Sequence, residues 1–147
     1  MPLPKTHLII GILIVLLLKI FWLHDISWLT MIVIVIANVL IDFDHYIAAC
    51  FATKRFLLLK NAYLYCINDD KTKVADLHLF HTVEFHLFVL IICFIFLFLS
   101  FPIFIIESSF AIIIGMIIHS LVDFINMAYH KESWRRYYSL IWWFIKR

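Results

Sequence analysis

From Val83 to Ile106 the chain is apolar apart from Glu84 and His86, with Ser100 and Pro102 toward its far end. A helix that crosses the hydrocarbon core of a bilayer needs about 20 such residues, with a range of about 17–25. Three more segments fit or nearly fit that length: Leu8 to Leu23, interrupted by Lys19; Ser27 to Ile41, which is short; and Phe110 to Phe124, with Ser108 or Ser109 as its N-cap. Hydrophobic residues make up 65% of the 147 positions, and mean hydropathy is +1.03. A soluble domain is about 45–50% apolar, so this chain carries more apolar surface than one core hides. The sequence therefore predicts an all-α polytopic membrane protein: one domain over residues 1–147, a bundle of four transmembrane helices. No small-residue cleavage site follows the first segment, which reads as a retained span.

Lysine and arginine set the orientation. The connections between spans one and two (His24, Asp25) and between spans three and four (Glu107) contain neither. The loop from Ile47 to Phe80 carries Lys54, Arg55, Lys60, Lys71 and Lys73; Lys5 precedes the first span, and Lys131, Arg135, Arg136, Lys146 and Arg147 follow the last. The positive-inside rule places both termini and the long loop on the cytoplasmic side of a cell (inner) membrane. The tail mixes Trp134, Tyr137, Tyr138, Trp142 and Trp143 with basic residues and is too short to span, so it reads as an interfacial amphipathic segment, as does "RFLLLKNAYLYC" in the loop. A net charge of +2 gives no reason to expect a nucleic-acid partner. Cys50, Cys66 and Cys93 have no CxxC spacing; they read as small apolar residues, without a disulfide framework or thiolate zinc site.

Against this background the ionisable residues stand out, because an Asp at the bilayer centre costs about 2.5–3.5 kcal/mol on insertion scales. On the predicted topology His7 opens span one, Asp42, Asp44 and His45 close span two, His78, His81 and Glu84 open span three, and His119 and Asp123 lie toward the cytoplasmic end of span four. All four spans thus deliver His or carboxylate to one membrane face. Positions three or four apart share a helix face; that pairs His119 with Asp123, Asp42 with His45, and His78 with His81 and Glu84. Asn38 falls one turn before Asp42. His86 points away from the His81 stripe, and His24, His86 and His130 read as ordinary interfacial histidines.

Carboxylates with neutral imidazoles and no thiolates are a ligand set for Zn²⁺, with Mn²⁺ or Fe²⁺ as alternatives. The candidates exceed the needs of one ion, so one to three ions per chain are expected. A multinuclear site would activate water and clamp the oxygens of a phosphoester. Glu84 is either a further ligand or a catalytic general base.

The ordered motifs "THLIIG", "LIDFDH", "HTVEFH" and "HSLVD" resemble those of the YdjM-like family of LexA-binding, inner-membrane-associated metal-dependent hydrolases. The likeness covers most of the chain. It implies a small multi-span protein with a metal-dependent hydrolase site, and it carries Asp42, Asp44, His45, His81, His119 and Asp123 over as ligands. Ile41 stands where the family has proline, and the central motif offers Glu84 in place of the family's His-Arg and Thr-His-Ser pattern. A fainter likeness runs to zinc phospholipase C and P1-type nucleases. Hydrolysis of a phosphoester, in a lipid headgroup or a small molecule, is what the resemblance implies; metal binding is read from the residues. HExxH is absent, as are a histidine pair, a Gly-rich phosphate loop and a serine elbow, which argues against a zinc intramembrane protease, a di-iron hydroxylase, a P-loop enzyme and a serine hydrolase. A metal-ion or proton transporter would want polar residues along both halves of the spans, whereas "ICFIFLFLSFPIF" and "FAIIIGM" offer almost none. A metal-stabilised scaffold is the remaining alternative.

Overall fold

The computed structural model describes residues 4–21, 24–54, 58, 61, 64, 76–131 and 136–146. It is helical: α1 (Pro4–Phe21), α2 (Trp28–Leu40), α3 (Phe43–Thr53), α4 (Val83–Phe98), α5 (Ile103–Tyr129) and α6 (Leu140–Lys146), with a 3₁₀ turn at Leu79–His81. Among the described residues the one β pairing is a two-residue parallel pair, β1 (Asp76–Leu77) on β2 (Arg136–Tyr137). The segment "RFLLLKNAYLYC" lies largely outside the described residues, as do Cys66 and most of the loop cations.

Helix starts follow side-chain chemistry. Ser27 accepts from the Thr30 N–H at 3.0 Å to cap α2, and Thr82 accepts from Phe85 N–H at 3.3 Å to cap α4. Helix ends are less usual. Gly is the ordinary left-handed residue after a helix, yet the chain has two glycines and uses neither there. Lys54, Ser100 and Lys131 take φ of 54°, 53° and 56° instead. After α4 the Phe101 N–H reaches Phe96 O at 3.1 Å and the Ser100 N–H reaches Leu97 O at 3.1 Å, with the Phe96 and Phe101 rings 4.9 Å apart. These two bonds and the apolar contact are a Schellman ending, and Pro102 follows it.

That turn corrects two span boundaries. The expected third span, Val83–Ile106, stops at Phe98, because Pro102 lacks an N–H and disfavours helical backbone in the residue before it. The fourth begins at Ile103 rather than Phe110 and runs to Tyr129. Ser109 is consequently no N-cap; it lies inside α5 and its hydroxyl donates to Ile106 O at 2.8 Å. Two helical stretches are long and apolar enough to cross a membrane, Trp28–Ile47 and Ile103–Tyr129.

Helix α5 is the central element, packed on α2, α4 and α1. One core layer joins Val15, Met31, Ile34, Ala111 and Ile118; a second joins Ile41, Ile113 and Met116 with Phe80, Phe85 and Leu90 beside them. Gly115 permits the α2–α5 crossing, since a Cβ there would collide with the Ile34 carbonyl and stand 2.8 Å from Ala37 Cβ. The outer faces carry exposed Ile, Leu and Phe side chains along all four long helices. At the end of α1, Lys19 reaches back to Ile26 O (2.8 Å) and His24 O (3.3 Å) and lies 5.1 Å from the Trp28 ring centroid.

The tail is tied to the start of α4. Val83 N–H donates to Tyr138 O at 2.9 Å, and the Glu84 carboxylate accepts from Ser139 Oγ (2.6 Å), Leu140 N–H (2.9 Å) and Ile141 N–H (3.2 Å). Glu84 thereby caps α6. Glu84→Ala is expected to cost on the order of 1 kcal/mol, the usual worth of a cap, and to free the tail. Limited proteolysis should then cut near residue 139 faster than in the parent, while metal content is unchanged.

Candidate metal centre

The turn that ends α2 sets the geometry. Ile41 is still helical, but Asp42 N–H bonds Val39 O at 3.4 Å and His45 N–H bonds Asp42 O at 3.1 Å, so the chain tightens and restarts as α3. Asp42 sits on that turn, and Asp44 and His45 fall in the first turn of α3. His78 precedes the 3₁₀ turn and His81 ends it. His119 and Asp123 lie one turn apart on α5, and His7 lies near the start of α1.

These eight side chains meet at one end of the bundle. His81 Nδ1 is 3.0 Å from Asp44 Oδ2, which also accepts the Phe80 N–H at 3.0 Å. His119 Nδ1 is 2.7 Å from Asn38 O. A carbonyl and an ionised carboxylate only accept, so both Nδ1 atoms carry the hydrogen, and in each neutral ring Nε2 is the lone-pair atom. The two Nε2 atoms face one another at 3.0 Å. Two lone pairs in that arrangement repel, and either a proton on one of the nitrogens or a metal ion beside them relieves the repulsion. Asp42 Oδ1 stands 3.4 Å from His119 Nε2 and 3.9 Å from His81 Nε2, and Asp123 Oδ2 stands 3.7 Å and 3.6 Å from them. These two nitrogens and two oxygens lie close enough together to be offered to one metal ion. The hydrogen bonds at Nδ1 are the outer-shell contacts that fix the tautomer of metal-binding histidines.

Three triplets, the last two sharing His45, also offer donors within 4.8 Å of one another: His7, His119 and Asp123; Asp42, His45 and His81; and Asp44, His45 and His78. His7 stacks on His119 with ring centroids 3.9 Å apart, and its Nε2 is 3.2 Å from Asp123 Oδ1. His7 is wholly buried, yet among the described residues its Nδ1 meets no hydrogen-bond partner, and neither does Asn38 Oδ1. His45 Nε2 is 3.6 Å from Asp42 Oδ1, and His78 Nδ1 is 3.8 Å from Asp44 Oδ1. Asp44, Asp123, His81 and His119 are all buried. Burying two carboxylates this deeply is costly unless positive charge accompanies them. Buried His and Asp clusters able to hold a metal ion are therefore a feature of this structure.

Glu84 is not among them, being engaged at α6, which corrects its expected role as base or ligand. His86 is likewise elsewhere, its Nδ1 2.9 Å from Thr82 O and its Nε2 3.1 Å from Ser120 Oγ. His24 and His130 are exposed. Asn38 is the residue that the ligand pattern leaves out: its carbonyl orients His119 and its Nδ2 donates to His7 O at 2.6 Å. Gly11 makes room for that amide, since a Cβ would stand 2.5 Å from Asn38 Nδ2. The signal was present in an amide placed among the apolar residues of α2.

Asp44→Asn removes the charge that orients His81. Metal affinity is expected to fall about 10–100-fold, the usual effect of losing an outer-shell partner, read by competition with a chromophoric chelator.

No family model matches the chain, and neither a curated protein nor a solved structure shows a match.

Proposed function

We propose that this chain is a four-span inner-membrane protein whose cytoplasm-facing site is that of a metal-dependent hydrolase acting on phosphoesters, and that it is a divergent member of the YdjM-like family. Helices α1 and α4, of 18 and 16 residues, accompany the two longer stretches. At 1.5 Å per residue they reach about 24–27 Å, close to the hydrocarbon thickness of about 30 Å. Their apolar outer faces support placement in lipid.

The observation that carries the reading is the facing Nε2 pair of His81 and His119, flanked by Asp42 and Asp123. Asp44 and Asn38 hold the imidazoles in the required tautomer, and α5 fixes His119 against Asp123. Zn²⁺ is the ion this mixed set fits best, and the triplets provide for up to three. Bound there, it would supply Lewis acidity toward water and the phosphoester. The chain's own charge makes that cation a requirement for binding: Asp42, Asp44 and Asp123 would repel an anionic substrate. His45 and His78 are less buried than His81 and His119.

The test is metal content by inductively coupled plasma mass spectrometry on protein purified without a His-tag, followed by assay against bis(p-nitrophenyl) phosphate. At least one stoichiometric transition metal, and hydrolysis abolished by chelation and restored by Zn²⁺ or Mn²⁺, are expected. Protein that stays metal-free after reconstitution would sink the reading.

A further inference from the structure

A groove of about 390 Å³ runs along the α4–α5 seam, from His81, Val83 and Tyr138 past Leu87 and Leu121 to Leu90, Ile113 and Ile117. Its size lies in the range of ligand pockets, about 300–1,000 Å³. From Phe124 to Ile113 it follows about 16 Å of α5 at 1.5 Å per residue. His81 lines one end of this groove and also belongs to the candidate metal centre, so its buried ring is the wall the two share.

The wall offers an occupant almost nothing polar. His86 Nδ1–H donates to Thr82 O, a carbonyl, so Nε2 accepts the Ser120 hydroxyl hydrogen at 3.1 Å. The Tyr138 hydroxyl donates to Met127 Sδ at 3.4 Å. Each of these polar hydrogens is directed into the protein, and the remaining surface is aliphatic or aromatic. On the outer side Leu87, Ile117, Leu121 and Phe124 are exposed and merge with the apolar surface of α4 and α5. The groove therefore opens sideways onto the surface that would face lipid, and ends at a histidine whose Nε2 faces the centre.

We infer that the groove holds the hydrocarbon chain of a membrane-resident phosphoester lipid, whose phosphate lies at the His81 end. This rests on the metal-site reading above and assigns its substrate class: an amphiphile entering laterally rather than a water-soluble ester. Hydrocarbon matches a wall without free donors among the described residues, and His81, at the end where the headgroup would sit, is hydrogen-bonded to Asp44 and faces His119.

The test uses a long-chain alkyl phosphate bearing a diazirine at its far end, added to zinc-loaded full-length protein in phosphatidylcholine vesicles. After irradiation, mass spectrometry locates the label. Label on Ile113, the buried floor of the groove, is expected, competed by unlabelled alkyl phosphate. Ile117→Trp should reduce that labelling on the order of tenfold by filling the groove while zinc content is unchanged; Leu87→Trp, from the opposite wall, serves if the first variant does not fold. Label confined to outward residues such as Ile112, or unaffected by either tryptophan, overturns the groove and leaves the metal centre standing. Equal labelling of Ile113 by the corresponding alcohol overturns the substrate assignment, since the groove would then take any hydrocarbon. Loss of zinc from the parent overturns the hydrolase reading itself, and is read separately from the label.

Discussion

A His119→Ala chain is expected to lose its metal while remaining folded. His119 supplies Nε2 to the tetrad and stacks on His7. Structural zinc sites bind with about 10–16 kcal/mol from four ligands, or about 3 kcal/mol for each, so affinity should fall on the order of 100-fold or more. Metal per protein after exhaustive dialysis checks this. The comparison is His86→Ala, on the adjoining helix, which removes an imidazole satisfied by Thr82 and Ser120 and should keep the full complement. Equal loss from both would mean that the metal is held nonspecifically. Linkage adds a second readout. A ligand that binds only the folded state stabilises it by about 2.7 kcal/mol at 100 times its Kd. Added Zn²⁺ should therefore raise the unfolding midpoint of the parent and leave His119→Ala nearly unmoved.

The second large effect is expected from Gly115→Leu, a position with no polar atom of its own. The Ile34 carbonyl occupies the space a Cβ would take, and backbone cannot swing aside as a side chain can. Overpacking of this kind costs about 1–3 kcal/mol, occasionally more. Here α2 must move as a body, carrying Asn38 and Asp42 away from α5. The 2.7 Å bond from His119 Nδ1 to Asn38 O would break, and Asp42 would leave the tetrad. The variant should lose both thermal stability and metal affinity, although the substituted position is one turn from the nearest ligand. Gly115→Ala should show a smaller version of the same pair of losses. A stable Gly115→Leu protein with parental metal affinity would show that the helix crossing does not position the site.

Which ionisable residues gather could be read from the sequence because lipid-like surroundings make each of them conspicuous. His119 and Asp123 are i, i+4 within an apolar run, and Asp42, Asp44 and His45 interrupt another. Period and polarity suffice for that. The boundary between α4 and α5 was misplaced because hydrophobicity continues straight through Phe98 to Ile106 while the backbone does not. The decisive events there are a left-handed serine and a proline, which a hydropathy profile barely registers. Helical spacing misleads at Glu84 for a different reason. Helical spacing places it on the stripe of His78 and His81, but the structure continues that stripe through a 3₁₀ turn, and a tail 55 residues away in sequence claims the carboxylate. The roles of Asn38 and Gly11 depend on the approach of two helices, which no single-helix pattern contains.

The contact between His7 and Asp123 joins the first described helix to the last long one across most of the chain. During synthesis His7 is made long before Asp123, at roughly 5–20 residues per second, and is without that carboxylate until then. A contact between residues this far apart in sequence closes only after α5 has been made. A polypeptide halted in α5 before His119 would therefore hold His7 and the α2–α3 carboxylates without the two α5 residues they meet.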